Sequence, residues 1–190
     1  MTSSALQEYA RGILSHIPWE HWVVMAFVSL VLSVILLIRK KISVYGAITL
    51  GLTIFMGLFL LDTAVGIRCL GIMPHKSGSN LTLDFSRMFQ KTGEGPAESI
   101  SNIAVFVPFG FFLVEFLAEA KRFGAWQRIG CVALGAFGLS LCIECFQLLL
   151  HVGFFELTDL VMNTLGGVIG AGMSVLGRAL WSWRKRSRTF

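Results

Sequence analysis

Charge is scarce in this chain. Only 14% of its 190 residues are Asp, Glu, Lys or Arg, against a hydrophobic share of 55%, and that balance excludes an ordinary soluble domain, where about a quarter of residues are charged. Cysteine and proline number four each, too few for a disulfide-stapled scaffold or a proline-rich linker. Three of the cysteines, at positions 131, 142 and 145, sit inside apolar runs, and all four read as free thiols. There is no Gly-rich phosphate loop, no Ser nucleophile elbow and no His-rich metal spacing. The four histidines, at positions 16, 21, 75 and 151, are dispersed. No cofactor and no metal are therefore expected.

What is present is hydrophobic length. Mean hydropathy is +0.73, and five runs, at 19–38, 42–61, 100–117, 129–150 and 157–180, are long enough at 1.5 Å per residue to cross a hydrocarbon core of roughly 30 Å. The expected fold is an all-α membrane protein of about five transmembrane helices. Residues 1–18 carry Leu6, Tyr9, Ile13 and Ile17 at helical spacing, which reads as a short interfacial helix. The first long run starts too far along the chain for a cleaved signal peptide and is followed by Arg39, Lys40 and Lys41, so it reads as a retained anchor. The long connection at 62–99 is polar overall and reads as an external loop. Its front part, 64–73, is apolar apart from Arg68, and suggests an interfacial or re-entrant piece. Gly95, Pro96 and Glu98 then mark a helix start.

The net charge of +5 and pI near 9.3 come from short basic clusters beside apolar runs, not from one basic face. The partner this implies is the anionic inner membrane surface, not nucleic acid. Arg39, Lys40, Lys41, Lys121, Arg122, Arg128 and the basic residues from Arg178 onward fall on one side of the helices. The short connection at 151–156 has neither Lys nor Arg. By the positive-inside rule the N-terminus lies outside, the C-terminus is cytoplasmic, and the 151–156 turn faces outward.

On that topology Asn102, Glu144, Gln147, Asp159 and Asn163 share one depth layer near the outer surface. Glu144, Gln147 and His151 share one helical face. A carboxylic acid in an apolar helix costs a few kcal/mol, more than one interhelical hydrogen bond returns. Two readings follow. The polar groups are hydrogen-bonding glue between helices, or Asn102, Glu144, Gln147, His151, Asp159 and Asn163 form a ligand-binding pocket, with Glu144 and Asp159 the candidate catalytic acids should a reaction occur. Other features read as packing. Cys131, Gly135, Gly138, Cys142 and Cys145 form a small-residue seam, Gly166, Gly170 and Ser174 form its expected partner, and Pro108 with Gly110 should kink the third span.

The runs Asn102-Ile-Ala-Val-Phe-Val-Pro108-Phe-Gly110, Glu144-Cys-Phe-Gln147 and Phe155-Glu156-Leu-Thr-Asp159-Leu-Val-Met-Asn163-Thr-Leu-Gly166 together resemble the VanZ-like family. These are small bacterial membrane proteins named for a teicoplanin-resistance factor. The resemblance runs from about the second span to Gly170. It implies a helical domain of the cell envelope over 42–180, preceded by the segment 1–41 and followed by a basic cytoplasmic tail at 181–190, with a role in glycopeptide (teicoplanin) resistance. It brings no reaction mechanism. The chain departs from the family pattern in two places. His151, Val152 and Gly153 stand where relatives often carry an arginine, so a cation that neutralises the acids is missing there, and Thr158 stands where they tend to have a second acid beside Asp159.

The leading reading is thus a membrane protein, not demonstrably an enzyme, whose outward-facing pocket engages a polar headgroup of a membrane lipid or a lipid-linked or cell-wall precursor. One alternative is an intramembrane enzyme acting on such a precursor through a Glu144/Asp159 acid–base pair. The other is a proton-coupled permease, which needs polar residues in the cytoplasmic half as well.

Overall fold

The computed structural model describes residues 17–71, 81–82, 94–119 and 123–187. The expected interfacial helix at 1–18 and most of the connection at 72–93 lie outside them. Five described helical segments are long and apolar enough to cross a membrane, and they fall where the hydrophobic runs place them. Helix α1 is Trp19–Ile38 and α2 is Val44–Leu61. A five-residue π-turn, Asp62–Gly66, then leads without a break into the short α3, Ile67–Cys69. After strand β1, Leu81–Thr82, come α4, Glu94–Glu119, and α5, Ala125–Leu149. Strand β2, Phe155–Glu156, opens directly into α6, Leu157–Arg186.

The helix ends follow local chemistry. Lys40 adopts a left-handed φ of 53°, and the Lys41 N–H turns back to Leu36 O at 3.1 Å, which closes α1. Ser43 caps α2 by accepting from the Gly46 N–H at 3.2 Å. Helix α4 begins one residue before Gly95, with Pro96 in its first turn, where a missing N–H is harmless. It continues through Pro108.

The helix at the end of α2 runs on past the hydrophobic run at 42–61. The apolar piece from Ala64 onward is helical through Cys69, and with α2 it makes one continuous segment of 26 residues, Val44–Cys69, long and apolar enough to cross a membrane. The π-turn inserts an extra residue per turn and so rotates the face that follows it. Arg68 is carried inward by that rotation.

Packing is tightest between α4 and α6. A Cβ on Gly110 would collide with the backbone of Gly167, one on Gly166 with Ile103 O, and one on Gly170 with Val107 O. The small residues of α6 therefore let two backbones touch. This corrects the seam assignment. The partner of Gly166, Gly170 and Ser174 is α4, not the cysteine-bearing stripe of α5. Cys142 and Cys145 are exposed, and Gly138 has open space beside it. The packed face of α5 is offset and consists of Val132, Ala136, Ser140, Ile143, Glu144 and Gln147. The exposed surface elsewhere is strongly apolar, with Val23, Phe27, Leu30 and Leu134 among the open side chains. That is what a lipid solvent requires.

At the end of α4 far from Asn102 lies a polar knot. The buried Glu115 carboxylate accepts from Arg178 Nε at 2.9 Å, and also from Arg178 Nη2, Ser174 Oγ and Tyr45 OH. It ties α2, α4 and α6 together. Arg178→Gln is expected to remove charge-assisted hydrogen bonds from a carboxylate that stays buried, at a cost of about 2 kcal/mol. A thermal unfolding curve in detergent should show the lower midpoint, and Glu115→Leu combined with Arg178→Met should recover part of it.

Candidate functional site

Three elements meet around a polar cavity. The π-turn and α3 contribute Thr63, Ala64 and Arg68, α4 contributes Glu98, Ser101 and Asn102, and the α5–α6 pair contributes Glu144, Gln147, Asp159 and Asn163. The volume is about 120 Å³. Five of the six sequence-predicted residues line it. The sixth, His151, does not: it sits exposed on the α5–β2 turn with a left-handed φ of 55°, so its place on the Glu144 face ends where the helix ends.

Three of the lining side chains are held by hydrogen bonds. Glu144 is only 2% exposed. Its Oε2 accepts from the Glu156 N–H at 2.7 Å, which satisfies an open donor at the N-cap of α6. Gln147 donates from Nε2 to Ala64 O at 3.1 Å, a carbonyl in the π-turn. Asn163, 5% exposed, donates from Nδ2 to Ser140 Oγ at 2.9 Å. Strand β1 pairs in parallel with β2, Leu81 beside Phe155 and Thr82 beside Glu156. Strand β1 is thereby held at the same end of the bundle as β2.

Two polar atoms in this lining have no hydrogen-bond partner among the described residues. They are Asn163 Oδ1, an acceptor, and Asn102 Nδ2, a donor. Buried polar groups are nearly always paired with protein or water, so an unmet acceptor and an unmet donor among the residues lining one cavity mark a place for a guest. Arg68 of α3 lines the same cavity as Glu144 and Asp159, so a cation stands in the lining from another helix than the 151–153 stretch. Sequence reasoning missed Arg68, Glu98, Ser101 and Ser140. The lone arginine in the apolar stretch after α2 was the available signal for Arg68.

A permease needs polar residues at the other end of the bundle as well, and the Glu115–Arg178 knot supplies some. On α4, however, Asn102 and Glu115 are about 20 Å apart, and buried apolar side chains, Phe106 and Phe109 in one cluster and Val114 in another, lie between them.

A second carboxylate was also overlooked. Asp62, at the start of the π-turn, pairs with His21 Nδ1 of α1 at 2.8 Å, which anchors α1 to the rest of the bundle.

The comparisons with known proteins agree with the arrangement of these motifs. The VanZ/LLP1 family model matches residues 44–178. Protein VanZ of Enterococcus faecium is 31% identical over 115 residues, which cover 60% of this chain and 63% of that protein. The aligned part thus spans less than two thirds of the curated relative. No solved structure matches the chain.

Proposed function

Because the chain belongs to the VanZ/LLP1 family, and because its polar residues gather around a cavity with unmet hydrogen-bonding atoms, we propose that it is a multi-pass protein of the bacterial cell membrane that binds a polar headgroup in an outward-facing pocket. The headgroup belongs to a membrane lipid or a lipid-linked or cell-wall precursor. Masking or sequestering such a group at the outer surface would lower glycopeptide susceptibility, the role that family resemblance implies. The single observation that carries the reading is Asn163: a 95% buried amide that lines the cavity is held on one side by Ser140, and its oxygen has no hydrogen-bond partner among the described residues. Glue between helices would have consumed both ends of that amide.

The outward orientation has its own test. On a background with all four native cysteines replaced by alanine, His151→Cys is expected to react with an impermeant maleimide added to whole cells. Arg39→Cys, at the opposite end of the bundle, should react only after the membrane is opened. The reverse pattern would turn the cavity toward the cytoplasm and remove the cell-wall ligands from consideration. Binding itself is tested by recovering the protein from bacterial membranes and identifying what it retains.

A further inference from the structure

Resting on the reading of this cavity as a headgroup pocket, its lining also says which kind of headgroup fits. We propose that the cavity takes a primary ammonium carried next to a phosphate, with Glu144, Asp159 and Asn163 Oδ1 receiving the ammonium N–H groups and Arg68 the phosphate oxygens.

The geometry gives three reasons. Two carboxyls, Glu144 and Asp159, stand against one guanidinium, Arg68, in the described lining. A guest with its own positive charge complements such a wall, since buried charges are tolerated when paired. Second, an unmet atom among the lining residues is an acceptor, Asn163 Oδ1. A primary ammonium offers three donors and no acceptor. Third, no group of three or more described His, Cys, Asp and Glu side chains has the grouping of a metal site, so the described side chains offer a bare metal ion no ligand set. Glu144 is held at one oxygen by the Glu156 N–H, which leaves its second oxygen to the cavity.

Arg68 sets the other half of the preference. A guanidinium is a planar fork that matches phosphate oxygens in pairs. It shares the lining with Asn102, whose Nδ2 is the unmet donor. The cavity, of about 120 Å³, is on the scale of a small polar end group such as aminoethyl phosphate.

The same chemistry has two sources, a phosphatidylethanolamine headgroup and free phosphoethanolamine. The full chain, purified and inserted in vesicles of mixed phosphatidylethanolamine, phosphatidylcholine and phosphatidylglycerol, is transferred to native mass spectrometry to read which lipid stays bound. Phosphatidylethanolamine is expected to be retained at least tenfold over the other two. Choline carries the charge without N–H donors, and glycerol carries hydroxyls without the charge. Asp159→Asn should shrink that preference to within about twofold, while Arg68→Gln should lower retention of all three. Displacement by millimolar phosphoethanolamine, with none by phosphocholine, assigns recognition to the headgroup alone. Failure of both to displace, with the lipid preference intact, assigns it to the membrane lipid. Equal retention of the three lipids, or a preference for phosphatidylglycerol, overturns the ammonium assignment. If Asn102→Leu, which fills the cavity, changes none of these retentions, the headgroup reading fails as well.

Discussion

Replacing Gly170 by valine is expected to cost more than about 3 kcal/mol, the upper end of ordinary overpacking, and to leave little folded protein in the membrane. A Cβ at this position runs into Val107 O and lies within 2.9 Å of Phe111 N. Backbone cannot rotate away as a side chain does, so relief requires separating α4 from α6. That separation opens the cavity too, because Asn102 is on one helix and Asp159 and Asn163 on the other. Gly172→Ala is the control: nothing lies within 4 Å of the added atom, and alanine favours a helix over glycine by about 1 kcal/mol. The yield of monodisperse protein in detergent and its thermal midpoint report both. A stable Gly170→Val protein would mean that α4 and α6 are not in backbone contact.

The second large effect concerns Glu144. Glu144→Ala deletes the acceptor of the Glu156 N–H in a site that is 2% exposed, leaving that donor unmet at a cost of about 1 to 3 kcal/mol. Glu144→Gln keeps an acceptor of the same shape, so stability should return to within about 1 kcal/mol of the parent. Function then separates the hypotheses. A headgroup binder loses one ionic contact, about tenfold in affinity or less, whereas an enzyme relying on Glu144 as general acid or base loses at least about a hundredfold in rate. Incubation with lipid-linked precursors followed by mass spectrometry reads the rate. A reaction that is present in the parent and falls a hundredfold in Glu144→Gln would replace the binder with the intramembrane enzyme.

Much of this was legible in the residues. The runs that became α1 and α6 were placed at their observed first residues, because a long stretch dominated by apolar residues leaves few alternatives. The shared layer of Asn102, Glu144, Gln147, Asp159 and Asn163 followed from counting residues to the ends of the spans. Arg68 was not legible, because one π-turn shifts the helical face, and nothing in Asp62-Thr-Ala-Val-Gly66 announces where the extra residue goes. His151 was read onto the Glu144 face by extending a helix that stops at Leu149. The cysteine stripe failed for a related reason. Small residues at spacings of three and four mark a possible seam, but which helix uses it depends on tertiary packing, and Gly166 and Gly170 were taken by α4. Glu115 and Arg178 stand near span ends, where charges usually reach water, so the burial of Glu115 under the exposed Arg178 left no local signature. His21 and Asp62 were likewise 41 residues apart in segments read separately.

The central claim, that this cavity holds a headgroup, is tested most directly by comparing what the parent chain and Asn102→Leu retain when both are recovered from bacterial membranes. Asn102 is suited to the purpose because it lines the cavity and a leucine there is bulkier and has no polar atom, so it fills space that a headgroup would occupy. Native mass spectrometry is expected to show a bound envelope lipid or precursor on the parent and its loss, by at least about tenfold in occupancy, from the variant, with thermal midpoints within a few degrees. The same molecule at the same occupancy on both proteins would contradict the account and leave the cavity a structural feature of the bundle.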